Sequence, residues 1–464
     1  MIAQKNIINK LQIGVNTPSQ AHGMQLKDGL STFFKEEIFP EMDEYFNSIQ
    51  KNKSNIIRFD KLSIEINAEE TDSLQDLKQL IISELKKIIN DKNILNEKSD
   101  GYIKTTSENN ELAAFLYFLE YGILPWWFEK KAVFGGEFFT TLKPHQGFSK
   151  KLKALLKKSE VRIRLMYQFD DTQLVMLVSV INDVSSRRTT ELKIPKKYRS
   201  IFWESLFHFM AFKRKKEFLA NIENLSPEIM EKLLNTSIEI LGEKIPISDK
   251  DFQKFENKNQ TLAESADVRD SEKKRPDEKT IQSENLKNSV DSSEINELIN
   301  SGILVKNAGL ILLHPFLKMF FEKLDLLIEK RIIPEKIDEA IHIMHYLATG
   351  REQPAEYELV FEKFLCNAPI YQPVNRQIFI TKEQKLACKQ LLEAVLEHWT
   401  ALKSNSTEIL QNEFLQREGK LTISEEKQNL FIQRKTQDLL LDRLPWNIHI
   451  IKLPWYKKIL VVDW

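Results

Sequence analysis

Over residues 250–293 only 9 of 44 residues are apolar, half the proportion of the whole chain. A stretch so poor in apolar surface cannot offset the entropy of ordering itself, so it reads as a disordered, charged linker. It splits the sequence into blocks 1–249 and 294–464, each within reach of one hydrophobic core. The full 464 residues exceed the roughly 250–300 that a single core supports. With 42% hydrophobic residues and 28 phenylalanines, both blocks have the apolar surface to fold.

The first block opens with alternation at Leu11, Ile13 and Val15, and alternation returns at Leu62, Ile64 and Ile66, the period of half-buried strands. Between them Leu30, Phe33, Phe34, Ile38, Met42 and Phe46 recur at helical spacing. A strand, helix, strand unit is expected, followed by helices over 73–90, 111–122, 172–182, 198–221 and 227–241. Gly122 and Pro125 end one of these helices, since Gly accepts the left-handed conformation and Pro cannot continue the helix. Trp126 and Trp127 leave it together, as a tertiary anchor or a partner patch.

The second block reads as helices over 310–330, 337–347, 355–366, 382–402 and 406–417, punctuated by Pro315, Gly350, Thr381 and Gly419. Its end alternates instead, at Ile448 and Ile450 and then Ile459 and Val461. A closing β-hairpin is expected there, with Pro454 and Trp455 at or beside the turn. The fold class is therefore mainly α with α+β character: two helical domains, a small β element at the N-terminus and a β-hairpin at the C-terminus. The domains are 1–249, a flexible linker over 250–293, and 294–464.

Formal charge is zero, and residues 294–464 carry 22 basic against 23 acidic side chains. Neither block has the basic excess that phosphate-backbone binding requires, so nucleic acid is not an expected partner. The cluster Lys150, Lys151, Lys153, Lys157 and Lys158 reads as the solvated face of an amphipathic helix. Two cysteines in so long a chain form no disulfide framework, which fits a reducing, cytoplasmic compartment. No apolar run approaches the roughly 18 residues of a membrane span, so no stable membrane insertion is expected.

Catalytic signatures are missing. The 13 glycines form no phosphate cradle, and no nucleophile elbow is present, so neither an enzyme nor a cofactor is expected. His342 and His345 stand three apart and can share a helix face, a spacing that suits a metal, but no third ligand can be named. His314, beside Pro315 at the head of an aliphatic run, reads as an imidazole bonded to backbone. Asn307 and Gly309 look like turn chemistry, with Gly309 supplying a positive φ. Asp442 with Arg443, and Arg417 with Glu418, are charged pairs in apolar surroundings, either partly buried bridges that fix the terminal hairpin or exposed pairs of little consequence.

Several ordered motifs are similar to those of the tape measure proteins of bacterial contractile injection systems. They are residues 307–317, the helix end at Tyr346, Leu347, Ala348, Thr349 and Gly350, residues 359–366, and His398 with Trp399. Residues 414–421 and then Leu441, Asp442, Arg443, Leu444, Pro445 and Trp446 complete the set. The N-terminal block resembles the family through its strand, helix, strand order and through Leu124, Pro125, Trp126 and Trp127. The resemblance implies a non-enzymatic structural or assembly component of a phage-tail-like particle, setting tube length or directing assembly. Its partners would be other subunits, namely tube, baseplate or cap proteins, and it would reside in the cytoplasm or within an assembled particle. A cytosolic chaperone or adaptor without a ruler role is the alternative. Candidate partner or packing anchors are Trp126, Trp127, Asn307, Gly309, His314, Trp446 and Trp455.

Overall fold

The computed structural model describes residues 6–16, 24, 29–49, 55–59, 61–66, 74–91, 102–128, 134–143, 146–182, 194–214, 218, 227–241, 299–403, 406–424 and 427–464. The linker expected over 250–293 lies outside the described residues. The described residues group into two compact units. One comprises the chain up to Ala114 with Trp126–Glu129, and the other Phe115–Pro125 with Lys130–Trp464.

In the first unit a π-helical turn over Phe34–Ile38 runs into α1 (Phe39–Ile49). Strand β1 (Asn55–Phe59) pairs antiparallel with β2 (Tyr102–Thr106), and α2 (Leu74–Asp91) lies between them in sequence. The amphipathic α2 buries Ile81 and Ile82 against Phe33 and Ile38, and Leu85 and Ile89 against Ile57, Phe59, Leu62 and Ile64. The two alternating runs do not become the expected strands. Residues 11–16 and 61–66 enter no ladder, and the observed ribbon is built from residues 55–59 and 102–106 instead.

Helix α3 (Ser107–Tyr121) leads into the second unit and stops at Gly122, whose φ of +74° is the expected left-handed cap. Then come α4 (Gly136–Thr141), α5 (Gln146–Leu155), α6 (Ser159–Gln168), α7 (Asp171–Ile181), α8 (Arg199–Phe212) and α9 (Pro227–Leu241). Phe115 sits at the centre of a ring pile with Phe134, Phe138, Phe139, Phe148 and Phe169, at centroid separations of 5.0–6.3 Å that suit edge-to-face and offset contacts. On α5 Phe148 and Leu152 are buried while Lys150 and Lys151 are exposed, the amphipathic face expected of that basic cluster.

The C-terminal residues add β3 (Ile303–Val305), α10 (Leu317–Lys323), β4 (Leu327–Ile328), β5 (Arg331–Ile332), α11 (Ile337–Thr349), α12 (Val360–Leu365) and α13 (Lys382–His398). After α13, a short helical turn over Thr407–Ile409 widens into a π segment over Leu410–Leu415. Strands β6 (Gly419–Ile423), β7 (Gln428–Ile432), β8 (Ile450–Ile451) and β9 (Leu460–Asp463) follow. They form a mixed sheet of order β3-β6-β7-β9-β8, in which only β7 and β9 run parallel. Ile303, Val305, Leu421, Leu430, Ile432, Ile451, Leu460 and Val462 turn one face into the core, as period-two alternation requires. The expected terminal hairpin is present as β8 and β9.

One expected helix breaks up. Residues 310–330 form a 3₁₀ turn over Ala308–Leu313, then α10, and then the β4-β5 hairpin. Asp325 has φ +53°, and the hairpin's central pair Glu329 and Lys330 have φ +50° and +63°, the left-handed pair that a tight two-residue hairpin demands.

Candidate functional site

The second unit is organised around buried charge. Arg164 on α6, Lys363 on α12 and Glu356, in the short turn before α12, have side chains with 0% exposure. Glu356 bridges the two cations, accepting from Arg164 Nε at 3.0 Å and from Lys363 Nζ at 2.7 Å. The backbone around them explains why such costly charges are kept. The connection from α12 to α13, residues 366–381, is irregular and buried at Cys366, Ala368, Ile370, Pro373, Val374 and Ile380, so carbonyls along it need donors that no ladder supplies.

Side chains supply those donors. Lys363 Nζ donates to the carbonyls of Ile370 (2.9 Å) and Gln372 (2.7 Å), Arg164 Nη2 to that of Tyr371, and Gln168 Nε2 to that of Val374 (2.8 Å). Arg164 Nη1 also donates to the Leu119 carbonyl, one of the orphan acceptors at the end of α3. Gly122 makes this possible twice over. Beyond its positive φ, a Cβ there would stand 2.5 Å from Glu356 Oε1 and 2.9 Å from Arg164 Nη2.

Helix α11 clamps the next residue of the connection. The Asn375 N–H donates to Asp338 Oδ2 at 3.1 Å, and its carbonyl lies 2.8 Å from His342 Nε2, so one turn of α11 holds both backbone polar groups of a single residue. Burial pushes the Asp338 carboxyl up to about 6, against the Asn375 N–H, and pushes His342 down to about 4. Burial likewise pushes Lys363 down, with Glu356 opposing it.

A second cluster lies at the other end of α11. Glu362 Oε1 accepts from Asn307 Nδ2 at 2.6 Å and stands 3.0 Å from His345 Nδ1. His345 Nε2, Glu362 Oε2 and His342 Nδ1 are buried without a hydrogen-bond partner. The two histidines therefore turn to different partners. Among the described residues no group of three His, Cys, Asp or Glu side chains is placed to hold a metal.

The third node ties the sheet to the motif at 307–317. Arg417 donates to both oxygens of Asp438, at 2.7 and 2.8 Å, and Asp438 also accepts from the Lys435 N–H and from Trp464 Nε1. Burial alone would raise the Asp438 carboxyl, yet these donors hold it below its usual range. Arg417 thus bridges to Asp438, while Asp442 pairs with Arg434 on the surface at 3.2 Å. The Arg417 carbonyl accepts from Ala308 N–H at 2.9 Å. A Cβ on the neighbouring Gly309 would stand 1.7 Å from the Phe414 carbonyl oxygen. Close approach, rather than the expected positive φ, requires Gly309.

The anchor residues are divided between the two units. Asn307 is buried against Glu362, and His314 Nε2 meets the Asn447 carbonyl at 2.9 Å. Trp446 Nε1 donates to Leu312 O at 3.1 Å, and Trp455 Nε1 to Leu365 O at 2.7 Å. Trp126 and Trp127 are half-buried in the first unit, where the Arg58 guanidinium lies 3.9 Å from the centre of the Trp127 ring. Sequence reasoning missed Arg164, Glu356, Lys363, Asp338 and Glu362. The one local signal is the adjacent pair Glu362 and Lys363 inside the apolar run Val360, Phe361, Phe364, Leu365.

The arrangement fixes backbone. Among the described residues no helix is long and apolar enough to cross a membrane. No curated protein and no solved structure matches the chain. The family model described as contractile injection system tape measure protein matches residues 5–464. That match takes in both units and all three polar nodes, and the chain belongs to the contractile injection system tape measure protein family.

Proposed function

We propose that this structural component of a contractile injection particle acts as a folded, non-enzymatic assembly factor in the cytoplasm, docking tube, baseplate or cap subunits. The observation that carries the proposal is the buried polar framework of the second unit, which ties α3 and α6 to α12 and the connection after it, and ties Asn307 and Ala308 to Glu362 and Arg417. A ruler works by extent, about 1.5 Å per residue as helix. The longest described helix, α2, has 18 residues and so spans only about 27 Å. The family description favours a second reading, in which the chain sets tube length.

Electron microscopy of particles from cells lacking the chain separates the two. An assembly factor leaves few or incomplete particles, with those that form keeping normal length. Abundant particles of scattered length would overturn the proposal and favour the ruler.

A further inference from the structure

Residues 250–293 lie between two parts of the second unit, and the contact that joins those parts has the make-up of an interface between two proteins. On the earlier side, Phe115 and its ring pile with Phe134, Phe138, Phe139, Phe148 and Phe169 form one apolar centre. On the later side a buried core runs from Ile303 to Trp464, and among the described residues Ile123 is its one buried member from the earlier side. Each side therefore brings an apolar centre of its own.

The groups that meet between them are complementary. The earlier side brings donors: Arg164 Nε to Glu356 Oε2 at 3.0 Å, Arg164 Nη2 to the Tyr371 carbonyl, and Gln168 Nε2 to the Val374 carbonyl at 2.8 Å. The later side returns one, from the Glu356 N–H to Gln168 Oε1 at 2.9 Å. Arg164 and Gln168 are 0% and 4% exposed, so water does not compete for these bonds. Aromatic rings pack beside them. Tyr357 meets Phe118 and Phe134 edge-on at centroid separations of 5.5 and 6.4 Å, while Ile123 and the half-buried Tyr117 and Tyr121 pack on the later core. A desolvated arginine with aromatic neighbours is the pattern of a binding hot spot.

We propose that this contact is a self-sufficient docking interface, with the surface around Glu356 and Val374 as receptor and α3 with α6 as its occupant, so that the chain stays one body when it is cut within residues 250–293. A covalent link raises the effective concentration of two sides without adding a contact between them. The bonds that Arg164 and Gln168 make, and the packing of Ile123 and Tyr357, do not pass through the link and survive its loss. Separation would leave the Glu356 N–H and the Val374 carbonyl without their partners from α6, in a stretch that enters no ladder. The inference rests on these contacts alone and holds whether the chain directs assembly or sets tube length.

A recognition sequence for a site-specific protease, inserted after Ser271 of the full chain, lets the cut be made in the folded protein. The cut protein should give two bands on a denaturing gel and, at about 1 μM, keep the mass of the uncut chain by light scattering. Exchange of its halves with an excess of affinity-tagged cut protein then reads the strength of this particular contact. Gln168→Leu removes two of the bonds across it and should speed that exchange about tenfold or more, while the uncut variant keeps the far-ultraviolet circular dichroism spectrum of the wild type. Halves of the cut wild type that separate at about 1 μM would overturn the proposal. So would a cut Gln168→Leu protein whose halves exchange no faster than those of the wild type, since the two sides would then be held together elsewhere.

Discussion

Replacing Glu356 with Gln removes the carboxylate that touches both Arg164 and Lys363, at 3.0 and 2.7 Å, while all three side chains have 0% exposure. Two like charges would then face each other without a counter-ion, and breaking such a buried pair costs about 3–5 kcal/mol. The cost has a ceiling, because Lys363 can release its proton. Neutralising a lysine of ordinary pKa at pH 7 costs about 5 kcal/mol. In the variant the ammonium is held uncharged in the folded state and charged in the unfolded one. Folding then releases a proton, and stability rises with pH by about 1.4 kcal/mol per unit until the unfolded lysine also titrates. In the wild type Glu356 opposes the effect of burial on Lys363, so the rise should be shallower. Denaturant unfolding at pH 7 and pH 9 is the assay. The expected result is a loss of about 3–5 kcal/mol at pH 7 that shrinks by about 1–3 kcal/mol at pH 9. A loss below about 1 kcal/mol, or one that does not change with pH, would refute the reasoning.

Asp438→Asn should cost about 2–4 kcal/mol in denaturant unfolding, since it leaves the Arg417 guanidinium buried and uncompensated. Gly309→Ala should lower stability by about 3 kcal/mol, because a Cβ 1.7 Å from the Phe414 carbonyl oxygen forces two backbone segments apart; a thermal melt unchanged from wild type would contradict the close approach. His342→Gln tests the clamp on Asn375. Burial lowers His342 from 6.5 to about 4, so its contribution is complete above pH 6.5 and is lost as pH falls toward 4. The gap between wild type and this variant should therefore narrow by about 1–3 kcal/mol from pH 7 to pH 4.5, although Asp338, raised to about 6, stabilises both over part of that range.

The sequence made local features legible and left the non-local ones hidden. Helix ends were readable because each has a nearby chemical cause. Gly122 and Gly350 take left-handed φ values of +74° and +66°, and Thr381 caps α13, with Gln384 closing the capping box. Helix α9 runs from Pro227 to Leu241, as its periodicity requires. Strands β6 and β7 were missed although Leu421, Ile423, Leu430 and Ile432 alternate, because they are short and take their place only once β3 and β9, more than 150 residues apart, flank them. Alternation at 11–15 and 62–66 predicted strands, but these residues enter no ladder, since pairing is a property of neighbours and not of period.

The polar framework was hidden for a different reason. Arg164 and Glu356 are 192 residues apart, and nothing near either one distinguishes it from the chain's 67 basic and 67 acidic residues. What selects them is the unpaired backbone of the connection between α12 and α13, and that need arises only in the folded state. Gly309 shows the same limit on a smaller scale. Its importance was readable, but the cause is a carbonyl from residue 414 and not its own torsion.

The central claim, that the chain acts as a folded body and not as a ruler, is tested most directly by changing its length where its core cannot object. Residues 250–293, poor in apolar side chains, can be shortened or doubled in cells that make the particles, and tube lengths measured by electron microscopy. The account predicts tubes of unchanged length. A change in tube length proportional to the residues added or removed would contradict it.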